Sequence, residues 1–325
     1  MSDDVSNNRA LLPAGLRDLL PPDAETEAAS VEALMEVFAA HGYQRVKPPL
    51  LEFEDSLLAG SGAAVAEQTF RLMDPESQRM MGLRADTTPQ VARIATTRLA
   101  QAPRPLRLSY AGQCLRMRGS QLAPDRQIAQ AGIELIGCDN PAADAEIVLV
   151  GAEALASVGL TRTSFDLTLP ALASARLPPA ARDLADRLAA AIAAIRARAP
   201  ALRLTVDPVE FRGFRYETGV SVTIYAPGRH EELGRGGRYV CGEAEPATGL
   251  TLFPDAVLRA APQREARQRL YVPLGADQDE AARMRHLGYA TIAALMAADD
   301  PAAEARRLSC SHILRNGSAV PLTGA

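Results

Sequence analysis

Tryptophan is absent from the 325 residues, and aromatic side chains make up only 4% of them. So sparse a supply of ring faces argues against a stacking platform for single-stranded nucleic acid as the main function. Lysine is almost as rare: Lys47 is the single one among 35 basic residues, which leaves 34 arginines. A Walker-type phosphate loop and Schiff-base chemistry each need a lysine at a particular place, so both are all but excluded. Cysteine and histidine are few and scattered. Cys114, Cys138, Cys241 and Cys310 show no paired spacing, and His41, His230, His286 and His312 form no HxxxH or Cys/His pair. The expected reading is ordinary thiols and ordinary surface or core imidazoles, with no metal site and no cofactor. Neither sign of charge dominates. The balance of 35 basic against 39 acidic residues gives −4, which weighs against a dedicated nucleic-acid binder. Long apolar runs are missing too. Uncharged stretches such as Leu188 to Ile195 and Leu287 to Ala298 fall short of the roughly 18 residues a membrane span needs. The opening MSDDVSNNR has neither the basic start nor the apolar core of a secretory signal, so a cytoplasmic protein is expected.

What is present is an ordinary globular pattern, with 47% hydrophobic and 23% charged residues. Val31, Leu34, Met35 and Phe38 repeat at helical spacing up to His41-Gly42, and Tyr43 to Val46 reads as an edge strand before Pro48-Pro49. Asp86-Thr87-Thr88-Pro89 has the composition of a helix start, with Val91, Ile94, Ala95 and Leu99 as its buried stripe. Alternation at Leu106, Leu108 and Tyr110 resumes from Ile128 to Ile136, which reads as a long antiparallel hairpin. Pro141 opens a helix with Val148, Ala152, Leu155 and Ala156 on one face. The Ala/Arg-rich stretch from about 174 to 200 has little apolar bulk and reads as an appended helical insertion. Strands are expected at Leu202 to Val206 and Val220 to Tyr225, and a glycine-rich turn at Gly234 to Tyr239. A strand at Leu270 to Val272 and a helix from Asp277 to Leu287 follow a composition shift near Pro262. The pattern is α+β: a core over 10–262 and a short C-terminal α/β segment over 263–325.

Four segments carry candidate chemistry. Asp86, Thr87 and Thr88 either hold an ammonium group or cap the helix. Arg116 and Arg118 are two apart on the hairpin arm, so they share a face that either grips an anion or is solvated. Gln130 and Glu134 share a face of the return arm of that same hairpin segment. The segments Phe211 to Gly219 and Gly234 to Tyr239 complete the set. The second of these lacks the third-glycine spacing of a dinucleotide fingerprint.

Taken in order, these segments resemble the core of class II aminoacyl-tRNA synthetases, most closely histidyl-tRNA synthetase, from about Leu12 to Leu252. Gly15 to Pro21 is similar to that family's opening signature, and Gly42-Tyr43-Gln44 with Pro49 and Glu52 to motif 1, which implies dimerisation there. Leu83 to Thr88 resembles LRPEGT, Gly112 to Arg118 motif 2, and Gln130 to Glu134 the HQFGVE run. Arg212-Gly213 with Tyr216 resembles RGLDYY, and Gly236 to Tyr239 the GGGRYD run. The resemblance implies a class II synthetase-like antiparallel sheet flanked by helices. It also implies a histidine-like pocket lined by Asp86, Thr88, Arg116, Gln130, Glu134, Arg212, Tyr216 and Glu217.

The departures from that pattern redirect the expected function. Arg118 replaces the glutamate that meets adenine, Ala256 stands where the nucleotide-gripping arginine of motif 3 belongs, and Glu217 replaces the second tyrosine of RGLDYY. Only Arg269 to Ala325 remains for an anticodon-binding domain, less than a typical domain. A synthetase-like core without ATP and tRNA machinery resembles the ATP phosphoribosyltransferase regulatory subunits. That resemblance implies a non-catalytic partner of a short-form catalytic subunit, forming a hetero-oligomer in the first step of histidine biosynthesis, with histidine as effector. The alternatives are a diverged ligase that adenylates another carboxylic acid, and a tRNA-binding module.

Overall fold

The alternation at Leu106 and Ile128 becomes a ten-residue-per-arm hairpin in the computed structural model, which describes residues 11–119, 124–170, 181–207, 217–263 and 265–322. Contacts group the chain into two units, Met1–Pro262 and Gln263–Ala325.

The first unit holds strands β1 (Gln44–Arg45), β2 (Leu51–Phe53), β3 (Arg71–Met73), β4 (Met80–Leu83), β5 (Leu106–Leu115), β6 (Gln127–Ile136), β7 (Ser164–Thr168), β8 (Arg203–Val206), β9 (Glu217–Tyr225), β10 (Glu232–Cys241) and β11 (Glu245–Leu252). Its helices are α1 (Asp23–Ala40), α2 (Glu54–Leu57), α3 (Thr88–Thr96), α4 (Pro141–Ser157), α5 (Ala181–Arg198) and α6 (Pro254–Ala260). Eight strands form one sheet in the order β1-β5-β6-β11-β10-β9-β7-β8. Its interior pairs are antiparallel, and the outer pairs β1/β5 and β7/β8 are parallel. The hairpin register runs from Leu106 opposite Ile136 to Leu115 opposite Gln127.

Period-two alternation sends each strand's residues to opposite faces. Ala131, Ile133, Val222, Leu250 and Leu252 face one way and make the main core with Phe38 of α1, Leu155 of α4 and Val257 of α6. On the other face, Leu106, Leu108, Tyr110, Ile136 and Tyr239 pack against Val91, Ala92 and Ala95 of α3. A small sheet ordered β2-β4-β3 adjoins α3, where Arg93 Nε donates to Glu52 Oε2 at 2.8 Å.

Several expectations shift. Ala156 is exposed, and Ala154 and Leu155 are the buried pair at that end of α4. Helix α5 is no loose appendage: Leu188 and Ile195 lie in the main core, and Arg187 Nε donates to buried Asp144 of α4 at 3.0 Å. A few large side chains every third or fourth position suffice to seat a helix, which total apolar bulk does not register. Residues 171–180, the start of the expected insertion, lie outside the described residues. The glycine-rich run is not a turn but an interior strand, β10, hydrogen-bonded on both sides. Arg116 and Arg118 fall beyond the end of β5, so strand alternation does not put them on one face.

The second unit holds β12 (Arg269–Val272), α7 (Gln278–His286), β13 (Ala290–Ala293), α8 (Pro301–Arg307), β14 (His312–Arg315) and β15 (Ser318–Pro321). Its sheet order is β13-β12-β14-β15, with the first three strands parallel and β15 antiparallel. Asp277 and Asp300 cap its helices, accepting from Asp279 N at 2.8 Å and Ala302 N at 2.9 Å. No helix among the described residues is long and apolar enough to cross a membrane.

Candidate functional site

The turn before α3 and the α3-facing side of the sheet bring four of the eight expected pocket residues together, Asp86, Thr88, Gln130 and Glu134. Arg84 fixes that turn by donating from Nε to Gln113 O at 2.7 Å and from Nη1 to Pro48 O at 3.2 Å. The next side chains do not cap the helix, because Thr87 makes no side-chain bond to the first-turn N–H groups. They turn instead to the sheet. Asp86, only 1% exposed, accepts from Gln130 Nε2 at 3.0 Å. Gln130 Oε1 in turn accepts from Thr87 N at 3.0 Å and from the Cys114 thiol at 3.1 Å. Four residues along β6, Glu134 accepts from Thr88 Oγ1 at 2.8 Å and from the Tyr239 hydroxyl at 2.9 Å. The Tyr110 hydroxyl completes the cluster, 2.7 Å from Thr251 Oγ1 and 3.2 Å from Thr88 Oγ1.

Sequence reasoning reaches Tyr239 only as the end of the glycine-rich segment and misses Tyr110 and Thr251, although glycines mark the places of Tyr110 and of the Glu134 carboxylate. A Cβ at Gly132 would overlap the Tyr110 ring, and one at Gly249 the Glu134 carboxylate. A glycine inside a strand signals such a close approach.

Burial governs the electrostatics. It pushes the Glu134 carboxyl up to about 8, outweighing the Thr88, Tyr239 and Tyr110 hydroxyls, so the group is mostly protonated at neutral pH. Burial first, and then the Asp86 charge, push the Cys114 thiol up to about 12. A thiol so raised is neutral and donates to Gln130; it is not a nucleophile. The arrangement therefore offers paired polar groups for recognition and no activated attacking group.

The remaining expected residues are distributed differently. Glu217 lines the same space as Thr88 and Glu134, beside Arg235, and accepts from Ser221 Oγ. The free volume there is about 10 Å³, room for one water. Arg116 lies near enough to Cys114 for its charge to be felt there. Arg212 and Tyr216 lie outside the described residues. Arg118 is exposed, while Ala256 is 3% exposed and built into the main core, so no cation stands at that position. Among the described residues no group of three or more His, Cys, Asp or Glu is placed to hold a metal.

The histidyl-tRNA synthetase family model matches residues 15–178 and 170–257. A Gluconobacter oxydans protein named ATP phosphoribosyltransferase regulatory subunit is 49% identical over 370 aligned residues, covering 96% of this chain and 97% of that protein. The chain belongs to that family of regulatory subunits. A member from Paramagnetospirillum magneticum is also 49% identical, covering 95% of this chain and 97% of its own. Both alignments are longer than the 325-residue chain, so these family members carry residues within the aligned span that it lacks. Among solved structures, an ATP phosphoribosyltransferase regulatory subunit/histidyl-tRNA synthetase from Bacillus halodurans has a TM-score of 0.78 at 18% identity, covering 92% of this chain and 97% of that one. Apo histidyl-tRNA synthetase from S. aureus has a TM-score of 0.70 at 22% identity, covering 93% and 89%. At those identities the likeness shows the fold: a class II synthetase-like α+β core.

Proposed function

We propose that this protein is the non-catalytic subunit of an ATP phosphoribosyltransferase, activating a short-form catalytic subunit within a hetero-oligomer and conveying feedback inhibition by histidine. One observation supports this most: the two ends of the site have diverged to different degrees. The amino-acid end keeps the Asp86–Gln130 and Thr88–Glu134 pairs. The nucleotide end has an exposed arginine at 118 and a core alanine at 256. Adenylate formation depends on fixed donors around phosphates, and each one lost costs about 10² to 10³ in rate. A fold that has lost its nucleotide grip but not its amino-acid contacts suits a sensor better than a ligase.

In this reading histidine occupies the pocket formed by Asp86, Thr88, Gln130 and Glu134, with Arg116, Arg212, Tyr216 and Glu217 around it. The small free volume means that entry requires the Thr88–Glu134–Tyr239 cluster to open. Regulation needs such a difference between states, because a ligand that binds both equally shifts nothing. Self-association through residues 42–52 accompanies assembly with the catalytic subunit.

The test is to co-purify the chain with the short-form catalytic subunit from the same genome and assay phosphoribosyl transfer with and without histidine. Stimulation by this chain, inhibition by histidine, and absence of histidine-dependent pyrophosphate exchange with ATP are expected. Lack of stimulation overturns the reading. Asp86→Ala is expected to keep stimulation and lose histidine inhibition. Unchanged inhibition in that variant would move the effector to the interface with the catalytic subunit.

A further inference from the structure

The face of the β5–β6 hairpin that looks toward α1 carries a second cavity, of about 280 Å³. Alternation separates it from the pocket above. Gln113 and Gln127 line it, whereas their neighbours Cys114 and Ile128 point to the α3 side together with Gln130. The N-terminal stretch forms one wall and is tied to the hairpin by Arg126 N, which donates to Gly15 O at 2.8 Å. Glu27 of α1 and Asp255 at the start of α6 complete the polar lining with Arg17.

These groups are satisfied unequally. Asp255 is engaged at both oxygens: Oδ2 accepts from Ala129 N at 2.9 Å and Oδ1 from Arg17 Nη2 at 3.2 Å. Arg17 also lies 3.9 Å from Asp125, which Arg259 approaches at 3.8 Å, so the cations of this region are engaged by Asp125 and Asp255 and not by Glu27. Glu27 is half-buried and has no hydrogen-bond donor and no cation among the described residues. Burial first, and then the neighbouring Asp255 charge, raise its carboxyl above the usual range. The side-chain amides of Gln113 and Gln127 have no hydrogen-bond partner among the described residues either. A carboxylate held beside a second carboxylate, partly out of water and without a donor, is a standing cost that a cation would remove. The volume argues for a molecule and against a lone ion, since it stands near the lower end of the range for small-molecule pockets, about 300 Å³.

We propose that this cleft is a binding site for a compact organic cation, whose ammonium or guanidinium group sits on Glu27 while the Gln113 and Gln127 amides hold its other polar groups. The site is independent of the histidine pocket, being on the other side of the sheet.

Titration calorimetry on the full-length chain tests it, with 1,4-diaminobutane and free arginine as probes and glutamate as the anionic control. One diamine or arginine is expected to bind per chain, with glutamate inert. Glu27→Gln is expected to weaken binding by at least about tenfold and Gln127→Leu by several-fold. Asp86→Asn, in the other pocket, should leave it unchanged. Circular dichroism melts confirm that each variant is folded. The proposal is overturned if neither probe binds in the millimolar range, if Glu27→Gln binds as tightly as the parent, or if Asp86→Asn abolishes binding. It is also overturned if magnesium alone fills the site and excludes both probes. Because stimulation of the catalytic subunit is a separate readout, failure here leaves the regulatory reading intact.

Discussion

The two faces of the β5–β6 hairpin use the same residue types in opposite ways. Toward α3, Gln130 and Glu134 are each 1% exposed, and every oxygen of theirs takes part in a hydrogen bond. Toward α1, Gln113 and Gln127 are exposed and Glu27 is half-buried, and none of the three side chains has a hydrogen-bond partner among the described residues. The difference follows from access to water. A polar group sealed from solvent must be paired within the protein, which fixes its geometry, whereas an accessible one can stay free for solvent or ligand. The α3 side is therefore a network whose members depend on one another. On the α1 side the Glu27, Gln113 and Gln127 side chains stand outside the Arg17–Asp255 pair beside them.

Breaking the network should have the largest effect. Glu134→Ala takes one hydrogen-bond acceptor from each of the Thr88 and Tyr239 hydroxyls and leaves a void beside Tyr110. A loss of about 3–5 kcal/mol is expected, from lost buried hydrogen bonds together with a cavity. Urea unfolding followed by circular dichroism measures it; a loss below about 1 kcal/mol would mean that the pairs are not coupled.

The second effect is on pH dependence. The folded-state value of Glu134 is about 8 against an ordinary 4.5. The folded chain therefore holds this proton over a range in which the unfolded chain releases it. The stability this contributes is complete below about pH 4.5, declines by roughly 1.4 kcal/mol per pH unit as pH rises, and is gone above about 8. Glu134→Gln should flatten that decline. The difference between the parent and variant urea midpoints across this range isolates it, and parallel curves would refute the assignment.

Third comes the glycine that makes room for the carboxylate. Gly249→Ala places a methyl group against Glu134 from the neighbouring strand, and overpacking of this kind costs about 1–3 kcal/mol. Thermal melts of the parent, Gly249→Ala, and the double variant with Glu134→Ala check it. The glycine substitution should cost less once the carboxylate is gone, because the two sites share one space.

How far the sequence anticipates this contrast differs between its parts. The hairpin, α1, and the helix opened by Pro141 are legible because alternation and three-four spacing record burial directly. Pairing of Gln130 with Asp86 and of Glu134 with Thr88 is approachable through the family resemblance, which names those positions without saying which touches which. Three features are not legible. Whether Asp86 and Thr88 cap a helix or reach across to a strand depends on what the sheet presents 44 and 46 residues away. Whether a glycine run turns or continues as β10 depends on partners on both sides. The α1 cleft is assembled from residues near 17, 27, 113, 127 and 255, and no local pattern links positions so far apart.

The smallest expected effect is the counterpart of the second. Glu27→Gln makes the same chemical change as Glu134→Gln, on the other side of the hairpin. Because Glu27 has no donor to lose and sits beside Asp255, the neutral amide should leave stability within about 0.5 kcal/mol of the parent. Any shift should favour the variant, since like-charge repulsion disappears. Its size should also depend on pH: a raised carboxyl loses its stabilising contribution as pH climbs, so the variant gains on the parent at higher pH and not at lower. High salt should shrink even that difference, because the group is half-open to solvent and screened. Paired urea titrations at two pH values and two salt concentrations settle the point. A large loss in Glu27→Gln would show that the α1 face holds a hidden network of its own, and would erase the contrast between the two sides of the hairpin.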